Sequence, residues 1–325
     1  MDRRVSFFFL AAALMAAPWA AKAQTAEPYP QRPVRIVVPF APGGATDVVA
    51  RMLAQRMSER LGQPFVVDNK PGAANMLAND LVAKAKPDGY TLLFAAAPLA
   101  LNTALGMKLP YDVYTDFAPI SLVASIPALF MVHPGTPWQT LKDVVAAARS
   151  QAGGVNYATA GVGSMPHLIG EALRSQSGAP FTHIGYKGAV PALQDAVGGQ
   201  VPMLIDAYIP AGQQIASGKL RGIAVAADRR TPVLPDVPTT AEQGFPELVG
   251  SGFYGLLAPA ATPASVVAKL HVTVVDAVNK TDIRDKLVQL GYTVHASTPA
   301  EYSAYIKREI ERWTPVVKAA GIKPE

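Results

Sequence analysis

The sequence predicts an α/β fold of two lobes, each a mixed, mostly parallel sheet flanked by helices. Buried-strand patterns alternate with amphipathic-helix patterns along almost the whole chain, which is the order of a parallel sheet with helical crossovers. A strand, a glycine turn and a helix follow one another twice, once in each half of the chain. Two extended apolar runs, at residues 120–132 and 251–258, separate the halves and allow a hinge between them.

The first half is organised around residues 37–62, VVPFAPGGATDVVARMLAQRMSERLG. This segment predicts a buried strand, a glycine turn and a long amphipathic helix that ends at Gly62. Gly43 and Gly44 lack Cβ atoms, so the backbone can approach a ligand closely. The first helical turn adds unpaired N–H groups and the positive end of the helix dipole. The segment therefore predicts an anion-binding cradle, with a simple tight turn as the alternative.

The other elements follow from periodicity and turn residues. In the first half, strands are predicted at 34–40, 65–67 and 90–96, and a second helix over about 71–84. In the second half, strands are predicted at 155–160, 182–186, 203–206 and 222–226, and helices at 141–150, 166–175, 191–197 and 209–217. Helices are also predicted at 263–278, 283–290 and 299–320, the last beginning with the capping-box pattern Thr298 to Glu301.

Residues 1–23 have the form of a signal peptide: two arginines, an apolar run from Phe7 to Ala17, and an Ala-Lys-Ala cleavage site. A membrane anchor is the alternative, but the apolar run is short for a membrane span. The chain has no cysteine, so neither a disulfide nor a lipid anchor is expected, and the mature protein should lie free in the periplasm. The predicted lobes are 24–126 together with 251–325, and 127–250.

Charge and motif content exclude several functions. The net charge is +5, and it becomes +3 without residues 1–23, which hold three basic residues and one acidic residue. Without a basic run, no nucleic-acid partner is expected. The five histidines have no metal-ligand spacing, so neither a metal nor a cofactor is expected. Ser164 and His167 open one helix and lack a nucleophile-elbow motif, so we expect no enzyme, with an exported ester hydrolase as a remote alternative.

Several polar and aromatic residues fall at predicted strand ends, where a cleft would open. Asp47 is interpreted as a structural acid at a helix N-terminus, and Phe40 as either core or cleft wall. Ser164 is a natural N-cap, which is compatible with ligand contact. Tyr186 is expected at the cleft. Asp206 is expected at the cleft mouth, where it would favour a ligand with a hydrogen-bond donor, with a helix-capping role as the alternative.

Longer motifs give the chain a family resemblance. They include PVRIVVPFAPGGATDVVAR at 33–51, KPGAANMLA at 70–78, NYATAGVGSMPHL at 156–168 and YKGAVPALQDAVGGQVPMLID at 186–206. With these motifs, the chain resembles the Bug-type solute receptors of tripartite tricarboxylate transporters. The joint occurrence of PGGATD and GVGS-x-x-H is specific, and the resemblance covers essentially the whole mature chain.

The resemblance implies a periplasmic-binding-protein (type II, flytrap) fold that binds a small organic carboxylate between its lobes. It also implies delivery to a permease with one large and one small membrane subunit, and a monomeric receptor is expected. In the family, backbone amides of both glycine loops hold one carboxylate. The candidate ligand-binding residues are therefore Phe40, Gly43, Gly44, Ala45, Thr46, Asp47, Ala97, Pro98, Ala160, Gly161, Gly163, Ser164, Tyr186 and Asp206.

One stretch departs from the family pattern. Ala95 to Leu99 carries no hydroxyl group, whereas small hydroxyl residues are frequent at this position in the family. We therefore expect a ligand with an apolar or aromatic body and fewer polar groups than citrate. A sensor that presents a carboxylate to a membrane histidine kinase would have the same site, so it remains an alternative to a transport receptor.

Overall fold

The computed structural model describes residues 29–323, so the predicted signal peptide lies outside the described residues. The first part of the chain forms β1 (Val34–Val38), α1 (Ala45–Leu61), β2 (Phe65–Asn69), α2 (Met76–Ala83), β3 (Thr91–Ala96) and α3 (Pro98–Ala104). The long strand β4 (Phe117–Val132) follows. The middle of the chain forms α4 (Leu141–Ser150), β5 (Val155–Thr159), α5 (Met165–Ser177), β6 (Phe181–Gly185), α6 (Ala189–Val197), β7 (Met203–Ala207), α7 (Tyr208–Ala216) and β8 (Arg221–Val225). The last part forms β9 (Ser251–Pro259), α8 (Ala264–Asn279), α9 (Thr281–Gln289), β10 (Thr293–Val294) and α10 (Pro299–Ala320).

The strands pair in one mixed sheet, in the order β2-β1-β3-β9-β4-β7-β5-β6, with β8 and β10 also paired to β4. Towards each edge the pairing is parallel: β1 pairs with β2 and β3, and β5 pairs with β6 and β7. In the centre, β4 and β9 run antiparallel to their neighbours. The predicted α/β class with a mixed sheet is confirmed.

Strand β4 is the connection between the two parts of the sheet. Pro127 does not interrupt the apolar run at 120–132, because β4 spans 16 residues and continues through it. Pro127 lies where the strand changes partners: residues up to Pro127 pair with β9, and residues from Ala128 onward pair with β7 and β8. We propose that the lobes meet at this change of partner, with 24–126 and 251–325 in one lobe and 127–250 in the other.

The first half differs from the sequence prediction in two places. The helix predicted from about residue 71 begins at Met76, because Ala73, Ala74 and Asn75 have φ values of 47°, 49° and 72° and cannot continue a right-handed helix. Helix α3, which starts directly after β3, was not predicted, because its apolar residues continue the apolar pattern of the strand. The capping box of α10, from Thr298 to Glu301, is present as expected.

Helix α10 packs across both parts of the molecule, against α3, β4 and α5. Its buried face is apolar except for Glu309, which is 2% exposed and accepts from Nε1 of the buried Trp313 at 3.0 Å. Tyr302, near the start of the helix, lies directly over Gly255 of β9. The helix therefore closes one face of the sheet over the central strands. Within residues 29–323 no helix combines the length and the apolar character that crossing a membrane requires.

The contact between α10 and β9 leads to a stability prediction. A Cβ atom on Gly255 would lie 2.3 Å from Cζ of Tyr302, so Gly255→Ala must displace the ring. We expect the free energy of unfolding, measured in urea, to fall by about 1–3 kcal/mol. Gly252→Ala in the same strand is the matched control, because its nearest neighbour is Ile126 Cγ2 at 3.4 Å. Equal stability of the two variants would contradict this packing.

Candidate functional site

Predicted site residues from each half come to the carboxyl ends of parallel strands. In the first half, β1 and β3 lead into Phe40 to Asp47 and into Ala97 and Pro98. In the second half, β5, β6 and β7 lead into Ala160 to Ser164, into Tyr186, and into Asp206. Ligands in α/β folds bind outside the carboxyl ends of the strands, so both groups lie where a cleft site is expected.

A cavity of about 370 Å³ joins residues of both halves. The two halves touch beside it, since a Cβ atom on Gly163 would lie 3.0 Å from Cδ1 of Leu105. The lining has apolar side chains, two asparagines, one serine and no charged residue. It consists of Ala74, Asn75, Ala97, Pro98, Leu101, Asn102, Leu105, Met107, Ala160, Gly161, Val162, Gly163, Ser164 and Met165.

The turn before α1 is held by Asp47, the third residue of that helix. Its carboxylate accepts hydrogen bonds from the Gly43 N–H, Arg51 Nε and Asn69 Nδ2, each at 2.9 Å. Gly43 has a φ of 85°, which glycine adopts at little cost. The Gly43 N–H is therefore used inside the turn, and the N–H groups left for an anion are those of the first turn of α1.

Asp47 is ionised in spite of its burial. The side chain is buried, which by itself raises the carboxyl pKa, but the hydrogen bonds from Arg51, Gly43 and Asn69 outweigh burial and hold the pKa at about 2. These donors also satisfy its oxygens. The negative charge next to a proposed anion site is thus balanced locally, mainly by Arg51.

The turn before α5 repeats the same construction in the second half. Gly163 has a φ of 72° and donates its N–H to Nδ1 of His167, the third residue of α5, at 3.0 Å. Ser164 is the N-cap: its Oγ accepts from the His167 N–H at 3.4 Å and donates to the Gly161 carbonyl at 2.7 Å. His167 therefore accepts a hydrogen bond from a turn glycine and holds the turn before α5, as Asp47 holds the turn before α1.

His167 is kept neutral by its surroundings. Its ring stacks on His183 with centroids 3.8 Å apart, and Nε2 of His183 lies 2.7 Å from Oγ1 of Thr159. Burial lowers the pKa of His167, and burial together with the closeness of the His167 ring lowers the pKa of His183 to about 4. The Nδ1 atom of His167 can accept from Gly163 only when it carries no proton, so the turn depends on this neutral state.

The remaining predicted residues lie outside the cavity lining. Phe40 is partly buried against the core, and Thr46 is buried beside the Tyr254 hydroxyl. Gly44 is the N-cap of α1, and Ala45 is the first residue of that helix. Tyr186 donates its hydroxyl to Asp195 at 2.6 Å, so the hydroxyl is engaged within its own half of the molecule.

Asp206 lies buried at the end of β7. Its Oδ1 accepts from the Ala207 N–H at 2.7 Å, and its Oδ2 has no partner among residues 29–323. Burial raises the pKa of this carboxyl to about 6. The expected position at a strand end is observed, but the side chain is not part of the cavity wall.

Sequence reasoning missed several residues of the cavity wall. Asn75 and Asn102 supply amide groups, and Leu101, Leu105 and Met165 supply apolar surface. Asn75 lies in the motif KPGAAN, Leu101, Asn102 and Leu105 lie in the run from Pro98 to Leu105, and Met165 lies in NYATAGVGSMPHL. Nothing in the spacing of these segments indicates that they meet.

A larger cavity of about 570 Å³ lies elsewhere, between α9, α10 and the segment 227–232. It contains none of the predicted site residues. Its wall includes Asp228, Glu309 and the five arginines Arg229, Arg230, Arg284, Arg308 and Arg312. The arginines of this larger cavity could attract an anion through their side-chain charges. The smaller cavity offers glycine turns and no charged side chain.

An α/β fold with one mixed sheet, and glycine turns at the carboxyl ends of parallel strands in both halves, are typical of a solute-binding protein of the flytrap type. Comparison with known proteins gives the family. The family model described as "Tripartite tricarboxylate transporter family receptor" matches residues 49–322, and the chain belongs to this family. The family consists of receptors and not of enzymes, which confirms the predicted class.

Individual relatives agree with this assignment. BugT of Bordetella pertussis is 36% identical, with 97% of this chain and 96% of BugT covered. The structure of the periplasmic binding protein BugD is 36% identical, covers 91% of this chain and all of its own, and has a TM-score of 0.76. These matches confirm the predicted Bug-type fold.

Two solved relatives have ligands. Rpa4515 of R. palustris with adipate is 34% identical, covers 91% of this chain and 100% of its own, and has a TM-score of 0.79. MatC of Rhodopseudomonas palustris with bound malate is 36% identical, covers 89% of this chain and 100% of its own, and has a TM-score of 0.75. Both ligands are small dicarboxylic acids.

The hydrogen bonds of Asp47 lead to a pH-dependent prediction. Because its folded pKa lies near 2 and the ordinary value is 3.8, the ionised side chain stabilises the fold above pH 4. This contribution is lost as pH falls through 2. Asp47→Asn should lower the free energy of unfolding by about 2 kcal/mol at pH 7. The difference from wild type should shrink towards pH 2 in urea titrations.

The exposed Asp285 of α9 provides the control for this prediction, because Asp285→Asn removes the same charge from an exposed site. It should change stability little at any pH. If Asp47→Asn behaved like this control, the carboxylate would not hold the turn.

Proposed function

We propose that this protein is a periplasmic receptor that binds a small organic carboxylate in the inter-lobe cleft and delivers it to the large and small membrane subunits of a tripartite tricarboxylate-type permease. The observation that carries the proposal is the repeated construction of the two corners. In each, the side chain of the third helical residue accepts a hydrogen bond from a turn glycine. The N–H groups left for an anion are those of the first turn of α1 and that of Met165 at the start of α5. Support also comes from the family and from relatives solved with adipate and malate.

Main-chain N–H groups suffice for useful affinity. A hydrogen bond to a charged group contributes about 1.5–3 kcal/mol, and a helix N-terminus adds about 0.3–1 kcal/mol. Several such contacts from two helices reach the roughly −8 kcal/mol of a micromolar complex. No charged side chain is needed, which fits a cavity wall without arginine or lysine.

The proposed ligand has an apolar body. Leu101, Leu105 and Met165 face the cavity, and Ala97 and Pro98 contribute no hydroxyl donor. Citrate has three carboxylates and a hydroxyl. The lining of the cavity would leave most of these groups without hydrogen-bond partners, which costs binding free energy. A carboxylic acid with an apolar chain or ring has fewer polar groups, so fewer hydrogen bonds to water are lost when it enters the cavity.

Export and assembly belong to the same proposal. Residues 1–23 would direct the chain to the periplasm, and the lack of cysteine leaves no site for a lipid anchor. The mature receptor would act as a monomer, with its lobes closing over the acid and presenting the closed form to the membrane subunits. The sheet supports such closure, since the long strand β4 passes from one part of the sheet to the other, pairing with β9 up to Pro127 and with β7 and β8 from Ala128.

A thermal-shift screen over organic acids tests the proposal, with calorimetry on the acids that stabilise the protein. We expect linear or aromatic acids with an apolar body to raise the melting temperature more than citrate does. Uptake of the best acid into vesicles that contain the membrane subunits should require the receptor. Stabilisation by citrate alone would contradict the apolar ligand, and a screen without any stabilising carboxylate would contradict the function.

Gly44→Val provides a sharp test of the first cradle. Gly44 has an ordinary extended conformation (φ −76°, ψ 169°), and a Cβ atom there has only the Ala41 carbonyl oxygen nearby, at 3.8 Å. A valine side chain therefore fits the fold, but it would cover the N–H groups of the first turn of α1 and block the ligand from reaching them. Affinity for the best acid, measured by calorimetry, should fall at least about 100-fold, or ~2.7 kcal/mol.

The melting temperature of the ligand-free protein serves as the control for folding, and Gly44→Ala should give an intermediate loss of affinity. Wild-type affinity in Gly44→Val would place the ligand away from this turn.

A further inference from the structure

The turn Ala73–Asn75 supplies a polar group to the cavity that neither glycine corner explains. The Asn75 side chain is 8% exposed and lines the cavity. Its Nδ2 group has no hydrogen-bond partner among residues 29–323. A buried donor without a partner is costly, and in native proteins such groups are uncommon and call for an explanation. An acceptor that enters the cavity would satisfy it.

The backbone around Asn75 is held in an unfavourable conformation. Ala73, Ala74 and Asn75 are three consecutive non-glycine residues with positive φ. Such conformations cost free energy and persist when the surrounding structure enforces them, often at ligand-binding sites. Asparagine tolerates this region better than most residues, so it is well suited to the last position.

A second buried amide fixes the strained turn. Asn102 of α3 is 4% exposed and donates from Nδ2 to the Ala74 carbonyl at 2.8 Å. The turn before α2 is thereby tied to the helix that follows β3. Since Asn102 also lines the cavity, the position of Asn75 relative to the apolar wall is set by a direct contact.

The cavity thus has polar groups from two sources and an apolar surface as well. The corner at Ala160 to Ser164 brings the start of α5, and the turn at Asn75 brings a neutral amide. Leu101 and Leu105 of the first half and Met165 of the second supply apolar surface. A volume of about 370 Å³ lies at the small end of the range for ligand sites, so it suits a short chain.

We infer that Asn75 is a specificity-determining residue that donates from Nδ2 to a second oxygen acceptor of the ligand. The preferred ligand is then a carboxylic acid whose apolar chain ends in another oxygen group, either a second carboxylate or a carbonyl. This inference rests on the proposed carboxylate-binding function and names the substrate class of the same site.

Three acids of one chain length separate the two oxygen groups from a chain that lacks them. Adipate has a second carboxylate, monomethyl adipate has an ester carbonyl, and hexanoate has a methyl group. Calorimetry on the wild-type mature protein should show at least one of the first two binding about 10- to 100-fold more tightly than hexanoate, the range expected for a hydrogen bond to a carboxylate.

Two variants connect this preference to Asn75. Asn75→Gly accepts the left-handed backbone and removes the amide, so it should abolish the preference and leave hexanoate binding unchanged. Asn75→Asp replaces the donor with a carboxylate, so it should weaken adipate more than the monoester because of charge repulsion. Asn156→Asp adds the same charge on an exposed residue of β5, away from the cavity, and should change none of the three affinities.

The outcomes separate this inference from the proposed function. Equal binding of all three acids, or a preference that survives in Asn75→Gly, would overturn the role of Asn75 and leave carboxylate binding intact. Failure of wild type to bind any of the three acids, while other carboxylates bind in the same assay, would also overturn the inference. Failure to bind any carboxylate would overturn both. Melting temperatures near wild type confirm that the variants are folded.

Discussion

The cleft depends on a hydrogen bond from a turn glycine to the side chain of the third residue in the helix that follows. Gly43 donates to Asp47 and Gly163 donates to His167, so the turns in the two halves of the chain are held by the same type of hydrogen bond. This bond fixes the left-handed glycine and thereby the direction in which each helix starts. It also takes up an N–H group outside the helix, so the N–H groups of the first turn of α1 stay available to a ligand. In α5 the His167 N–H is bonded to Ser164 and Pro166 has no N–H, so Met165 supplies the available N–H group.

The two corners reach this geometry with different electrostatics. Asp47 is a buried charge that needs Arg51 and Asn69 as partners. His167 is neutral, and its burial against His183 keeps it so. Acid therefore acts on the two turns through different groups, by protonating the His167 ring in one and the Asp47 carboxylate in the other. Both turns remain intact near neutral pH, where a carboxylate ligand is ionised.

Many helix boundaries could be predicted, because they depend on residues that are close together in the sequence. Gly62 ends α1 in a left-handed conformation, and Thr298 and Glu301 form the capping box of α10, as the residues themselves indicate. The strained turn at Ala73 to Asn75 could not be predicted, because alanine gives no signal for positive φ. The hydrogen bond from Asn102 to Ala74 joins residues far apart in sequence, and it becomes visible only once α3 is placed.

A crystal structure with the most stabilising carboxylate bound is the most direct test of the account. It should show one carboxylate accepting hydrogen bonds from main-chain N–H groups in the first turn of α1 and from the Met165 N–H at the start of α5. The two helix N-termini should point at that group from opposite lobes. A carboxylate held by one lobe alone, or bound among the arginines of the larger cavity, would contradict a ligand shared between the two helix N-termini.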